Sequence, residues 1–197
     1  RSWRLLMRFI GDLFIHYRNP FLYQELIDNR KRRRGFLSAA RRDLTTILDR
    51  GGQDDDLILV MDRCLQRLGR MASELAAAAH MRKRIRIRLG AIAGENNVLF
   101  DPFTLMAHAT DATDWRMHLP IAVVCPDSET QVPMLLTAIE ALDLKAIPRG
   151  AGTGLTGGAV PAAPDCVVIN TEKLNRMGPI RKEIFETPAG GTIELET

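Results

Sequence analysis

Pro148-Arg-Gly-Ala-Gly-Thr-Gly-Leu-Thr-Gly-Gly-Ala-Val-Pro161 is the stretch on which the reading of this chain turns. Five glycines (Gly150, Gly152, Gly154, Gly157 and Gly158) fall within nine residues. A residue without Cβ reaches positive φ at little cost and lets an anion come close, so that successive N–H groups turn inward on a phosphate. Thr153 and Thr156 add hydroxyl donors, and Arg149 adds a fixed charge with a planar fork suited to phosphate oxygens. A pyrophosphate is the ligand such a loop suits.

Two better-known phosphate loops are excluded by spacing. A P-loop places Lys-Ser/Thr after the last Gly of Gly-x4-Gly, whereas Gly152…Gly157 is followed here by Gly158-Ala159. Gly152-x-Gly154-x-x-Gly157 imitates a dinucleotide fingerprint, and Glu172 stands near the place of its acidic partner. That fingerprint also needs a helix opening inside the loop. Gly157-Gly158, Pro161 and Pro164 oppose one, so a Rossmann assignment is rejected. A flexible surface loop is the plain alternative, and flanking strands argue against it.

Outward from the loop, residues 121–125 form a β-branched apolar run closed by Pro126, which predicts a buried strand. Asp127-Ser128 offers a cap, Glu129 opens a first turn, and Val132, Leu135, Leu136, Ile139 and Leu142 make a helical stripe. Residues 145–148 and 166–170 read as second and third strands, and 182–187 as a weak fourth. Strand, helix, strand, glycine loop, strand is an α/β or α+β unit with its ligand loop at a strand's end.

The first half differs. Leu57, Val60, Met61, Cys64, Leu65, Leu68, Met71, Ala72 and Leu75 recur at helical spacing, preceded by Asp54, Asp55 and Asp56, whose carboxylates suit a helix start. Asp28-Asn29 and Gly51-Gly52 read as breaks. The chain therefore divides into a helical module, 1–92, and an α/β part, 93–197. The fold class is α+β.

Composition sets the bounds. The 197 residues are 46% hydrophobic and 26% charged, the balance of a globular chain, and the net charge of +3 does not demand a nucleic-acid partner. Two basic clusters, residues 30–34 and 82–88, lack interleaved aromatics and are read as solvated helix faces or as partners for acidic parts of a longer chain. Cys64, Cys125 and Cys166 show no metal or disulfide spacing, which suits a reducing compartment. His16, His80, His108 and His118 lack ligand spacing. Asp101, Asp111 and Asp114 read as turn and cap residues. No stretch reaches a transmembrane span. The absence of an initiator Met and of a closing element leads us to expect a piece of a longer polypeptide.

From about Asp111 onward the chain resembles the FAD-binding domain of the vanillyl-alcohol-oxidase/PCMH superfamily, in its D-lactate dehydrogenase and glycolate oxidase subunit branch. The matching pieces are Ala109-Thr-Asp-Ala-Thr-Asp-Trp-Arg116, Leu119-Pro-Ile-Ala-Val-Val-Cys-Pro126, the glycine loop with Ile147 before it, and Val167-Val-Ile-Asn-Thr-Glu-Lys-Leu-Asn-Arg176. The resemblance implies the first α/β subdomain of such a domain, incomplete here. It assigns FAD contacts to Arg149, Gly150, Ala151, Gly152, Thr153 and Gly154, with Gly157 and Gly158 added. Thr153 stands where several members carry the His that links FAD covalently, so noncovalent FAD is implied.

Residues 17–33 are similar to the region before the FAD domain in large bacterial FAD-linked oxidoreductases, whose iron–sulfur modules would lie elsewhere in a full-length protein. Oxidation of a small 2-hydroxy acid (D-lactate or glycolate type) by a dehydrogenase or oxidase is the implied reaction, with catalytic residues and electron acceptor unassigned. Cytoplasmic placement, or a peripheral one at the inner membrane, is expected, with the remainder of the polypeptide as partner. The rival reading is a nonenzymatic helical interaction module joined to a glycine-loop nucleotide or phosphate binder. Gly152→Val is expected to empty the flavin site while the fold survives.

Overall fold

The computed structural model describes residues 2–51, 55–113, 115, 118–176, 178, 182–186 and 190–196. Gly52, Asp54, Asp114 and Thr187, which the sequence reading used, lie outside the described residues. Four helices fill the first half: α1 (Ser2–Arg18), α2 (Pro20–Asp28), α3 (Arg30–Gly51) and α4 (Asp55–Ala93). The break at Asn29 lies where the sequence placed it. A second break, at Asn19-Pro20, went unmarked. Asn19 Oδ1 accepts from the amides of Phe21 and Leu22 at 3.0 and 3.3 Å, and Pro20 has no N–H to satisfy in the first turn.

The helices interlock through two apolar clusters. Leu6 and Phe9 of α1 meet Leu44 and Ile47 of α3 and Met61 and Leu68 of α4. Leu26 and Ile27 of α2 meet Met71 and Leu75 of α4. The stripe read on α4 is thus partly right, for Val60 and Leu65 remain exposed.

The second half is a four-stranded sheet in the order β1-β2-β4-β3. Its strands are β1 (Val98–Leu99), β2 (Ala122–Val124), β3 (Lys145–Arg149) and β4 (Cys166–Asn170). β4 runs parallel to both β2 and β3, while β1 is antiparallel to β2. Alternation across β2 and β4 fills both faces. On one face, Ala122, Val124, Val167 and Ile169 pack under Ile85 and Leu89 of α4 and under Leu135 and Ile139 of helix α6 (Gln131–Glu140). On the other, Val123 and Val168 meet Leu105 of helix α5 (Pro102–Ala107). A separate antiparallel pair, β5 (Lys182–Glu186) and β6 (Thr192–Glu196), follows. The protein is therefore α+β, a helical region followed by a mixed sheet. α4 belongs to both, since its first part closes the helical clusters and its last part roofs the sheet.

Three expectations need correction. The start of α6 is not capped by Asp127 or Ser128. The residue before the helix is Thr130, which makes no side-chain cap, and the Asp127 carboxylate turns instead to Asn97 and Lys173. The cluster at 82–88 is not wholly solvated, because Arg82 is buried and ion-paired with Asp28 within this chain. In the cluster at 30–34, Arg32 pairs with Glu25, and Arg33 Nη1 donates to the carbonyls of Leu26 and Ile27, where α2 ends. No helix among the described residues is long and apolar enough to cross a membrane.

Candidate functional site

The three parallel strands end on one edge, at Val124, Arg149 and Asn170. In open α/β sheets this carboxyl edge is where ligands sit. The glycine loop leaves it directly from β3. Two bonds tie its root to the neighbouring strand: the Thr171 amide donates to the Arg149 carbonyl at 2.9 Å, and the Thr171 hydroxyl does so at 3.3 Å. Its far end is anchored by buried Val160, whose amide donates to the Gly157 carbonyl at 3.1 Å.

Between these anchors the backbone is open. Among the described residues, no amide from 150 to 158 donates a hydrogen bond, and Thr153, Gly154, Leu155 and Thr156 are exposed. A run of amides without partners at a strand's end is free to take an anion. Two glycines shape it. Gly152 has φ +72°, and a Cβ there would lie 2.2 Å from Arg149 Nη2. Gly157 has φ +74°, and a Cβ there would lie 2.7 Å from the Trp115 ring. Each glycine lets a large side chain pack flat beneath the loop.

The structure gives Arg149 a definite set of partners. Its Nη1 donates to the Thr110 carbonyl at 2.7 Å and its Nη2 to the Ala107 carbonyl at 3.4 Å. The guanidinium thus joins the loop to the segment after α5. Gly150, Ala151, Gly152, Thr153, Gly154, Gly157 and Gly158 all lie along the loop just described. Sequence reasoning missed what lies below it. Asn170, buried at the end of β4, meets His108 Nε2 through Nδ2 at 3.0 Å, and His108 Nδ1 lies 2.8 Å from the Thr104 carbonyl. Those contacts are satisfied by a ring protonated on Nδ1, with Nε2 accepting. The residues are 62 apart in sequence, and no local spacing announces the pair.

Charge near the loop is ordered by hydrogen bonds. Asp111 Oδ1 accepts from the Thr113 hydroxyl at 2.6 Å and amide at 2.9 Å, so it is a turn residue as read. Those bonds hold its carboxyl below the usual range. Asp101 caps α5 by accepting from the Thr104 amide. Along the same edge, Lys173 Nζ donates to Asn97 Oδ1 at 2.7 Å and to Asp127 Oδ1 at 2.8 Å, while Asn97 Nδ2 donates to Asp127 Oδ2 at 2.7 Å. The Lys173 bond lowers the Asp127 carboxyl and raises the Lys173 ammonium in return. A cavity of about 250 Å³ opens beside this clamp, lined by Asp127, Thr130, Lys173 and Arg176 among others. Burial pushes the Cys125 thiol up, which opposes its use as a thiolate. No metal-binding group of His, Cys, Asp or Glu occurs among the described residues.

Comparison with known proteins agrees with this geometry in one respect. Residues 120–195 match the family described as FAD binding domain, a span that includes β2, α6, β3, the glycine loop and β4. Residues 1–73 match a family described as protein of unknown function (DUF3683). No curated protein matches the chain. Among solved structures, p-cresol methylhydroxylase with substrate bound is similar at 19% identity and a TM-score of 0.46, over 52% of this chain and 20% of that one. This chain spans about a fifth of that protein's length.

Proposed function

We propose that the chain is the pyrophosphate-holding part of a flavin-dependent oxidoreductase that binds FAD without a covalent link. The observation that carries this reading is the run of unbonded amides at 150–158, leaving the carboxyl end of β3 inside the segment that matches an FAD binding domain. The residues present fit such a group. Gly150, Ala151, Gly152, Thr153 and Gly154 would meet the phosphate oxygens through backbone N–H, with Gly157 and Gly158 closing the curve. Arg149, held by the Thr110 and Ala107 carbonyls, supplies positive charge from beneath. Bound FAD would supply hydride acceptance, a chemistry no side chain has. This chain's own contribution is to hold the cofactor's charged middle and fix its direction from the sheet edge.

The substrate assigned is a small 2-hydroxy acid of the D-lactate or glycolate type. Support for it comes from the matched pieces at 109–126 and 147–176, which resemble that branch. Thr153 at the place of a linking His supports noncovalent attachment. The remainder of the polypeptide would supply the substrate cover and any iron–sulfur centre. Acid precipitation of the flavin-loaded protein tests the linkage. Free FAD in the supernatant is expected, and flavin retained in the pellet would refute it. A flavin spectrum in the purified protein would also separate this function from a nonenzymatic binder of some other phosphorylated ligand.

A further inference from the structure

Arg82 is 4% exposed, on the part of α4 that faces α2. Its Nη1 donates to Asp28 Oδ1 at 2.7 Å and its Nη2 to Gln24 Oε1. Its Nε–H is buried without a partner among the described residues. A guanidinium with an unmet buried donor is an expensive thing to keep in a fold. Against it opens a cavity of about 440 Å³, whose lining adds Arg33, Lys83 and Arg86 to Arg82, with Asp28 as its one carboxylate.

That carboxylate is already committed to Arg82. Neither Lys83 nor Arg86 forms an ion pair with a described residue. Arg86 lies over the Phe100 ring at 5.1 Å, as Arg82 does at 5.3 Å. Arg33 uses Nη1 on the carbonyls ending α2. Positions 82, 83 and 86 share one helix face, where like charges three and four apart repel. Four cations therefore line one concavity, and its single carboxylate, Asp28, answers only one of them.

We propose that this cavity is a binding site for a small, multiply charged oxyanion of the phosphate or phosphate-ester class. Arg82 is its buried member, while Lys83 and Arg86 are exposed donors on its lining. Ile27, Ala79 and Ile87 complete the lining and give an ester's carbon part an apolar wall. The volume suits a small molecule. Asp28 excludes a cation, since it answers only one of the four positive groups. A small anion reaches this buried member more readily than a carboxylate carried on a folded partner, because Arg82 offers so little surface. The site is separate from the glycine loop and does not depend on flavin binding.

The test is a titration of the protein with inorganic phosphate at constant ionic strength, following the ¹⁵N–¹H signals of arginine Nε groups. A saturable shift of the Arg82 Nε–H signal is expected. In the variant Lys83→Ala/Arg86→Ala, both surface changes, half-saturation should need about a hundredfold more phosphate, about tenfold for each charge-assisted bond lost. Phenyl phosphate should bind at least as tightly as inorganic phosphate. The proposal is overturned if chloride produces the same shift, if the double variant titrates like the parent, if Gly150→Ala abolishes the response, or if a glutamate-rich peptide moves the signal and phosphate does not.

Discussion

Gly152 holds φ at +72°, and a Cβ on it would lie 2.2 Å from Arg149 Nη2. Valine there must therefore distort the backbone or dislodge the guanidinium. The left-handed conformation alone costs a branched residue about 1–2 kcal/mol. Losing the Arg149 bonds to Thr110 and Ala107 adds about 1 kcal/mol each. Gly152→Val should therefore lower the melting temperature by at least about 5 °C as well as empty the flavin site. Gly150 is the cleaner probe. A Cβ there meets nothing closer than Thr171 Oγ1 at 4.0 Å. Gly150→Ala should leave the melting temperature within about 2 °C while lowering FAD affinity about tenfold, since a methyl group then stands where a phosphate oxygen would approach. Equal FAD binding by Gly150→Ala and the parent would remove Gly150 from the site. The glycines were legible in the sequence because each position in the loop is a local choice. What they lean on was not, since Arg149 and Trp115 reach them only in the folded chain.

The strands and helices depend on two longer-range devices, and each makes a prediction. Leu89 is fully buried in the cluster that α4 shares with β2, β4 and α6. Leu89→Ala should cost about 2–5 kcal/mol, measured by urea unfolding. Because α4 also closes the helical clusters, the loss should appear in helix and sheet signals together. The second device is the clamp of Asn97, Asp127 and Lys173, which ties the start of β1 to the exits of β2 and β4. The Asp127 pKa is depressed in the fold, so its contribution is present above the unfolded value, about 3.9, and is lost as pH falls through the folded one. The Lys173 pKa is raised, so its share is present below about 10.4 and lost as pH rises through the folded value. Asp127→Asn should flatten the acid limb of a melting curve against pH, and an unchanged limb would show the clamp idle. In the sequence, β2 stood out as a β-branched run, and β3 and β4 were read as short strands on either side of the glycine loop. β1, with two residues, was too short to register. Asp127 looked like a helix cap because Asp-Ser before an apolar stripe is cap chemistry. A partner 46 residues away outbid that local preference. Arg82 was misread for the same reason, since its ion partner Asp28 lies 54 residues back.

At the scale of the whole molecule the question is whether this chain alone can hold FAD. Small-molecule sites bury ~70–90% of their ligand's surface, in pockets of ~300–1,000 Å³. The glycine loop is a rim rather than a pocket, with Leu155 at its tip 78% exposed. Beside the neighbouring strand ends, a cavity of about 250 Å³ near Lys173 is too small for an adenine and an isoalloxazine together. The helical region covers the opposite demands of the sheet, through Ile85 and Leu89, and contributes none of the described residues along the loop. The β5–β6 pair exposes Ile184, Phe185 and Ile193, an apolar surface that a lone two-stranded ribbon cannot bury for itself. Backbone amides on a pyrophosphate, without walls for either ring, leave most of the ligand in water. The 197-residue chain should therefore bind FAD weakly and show no dehydrogenase turnover. Titration of FAD against the purified chain, followed by flavin fluorescence, should show shallow quenching that does not saturate at stoichiometric protein. Tight one-to-one binding, or reduction of a dye acceptor with D-lactate, would mean that the described edge already encloses the cofactor. In that event β5 and β6 would be the first place to look for the missing wall.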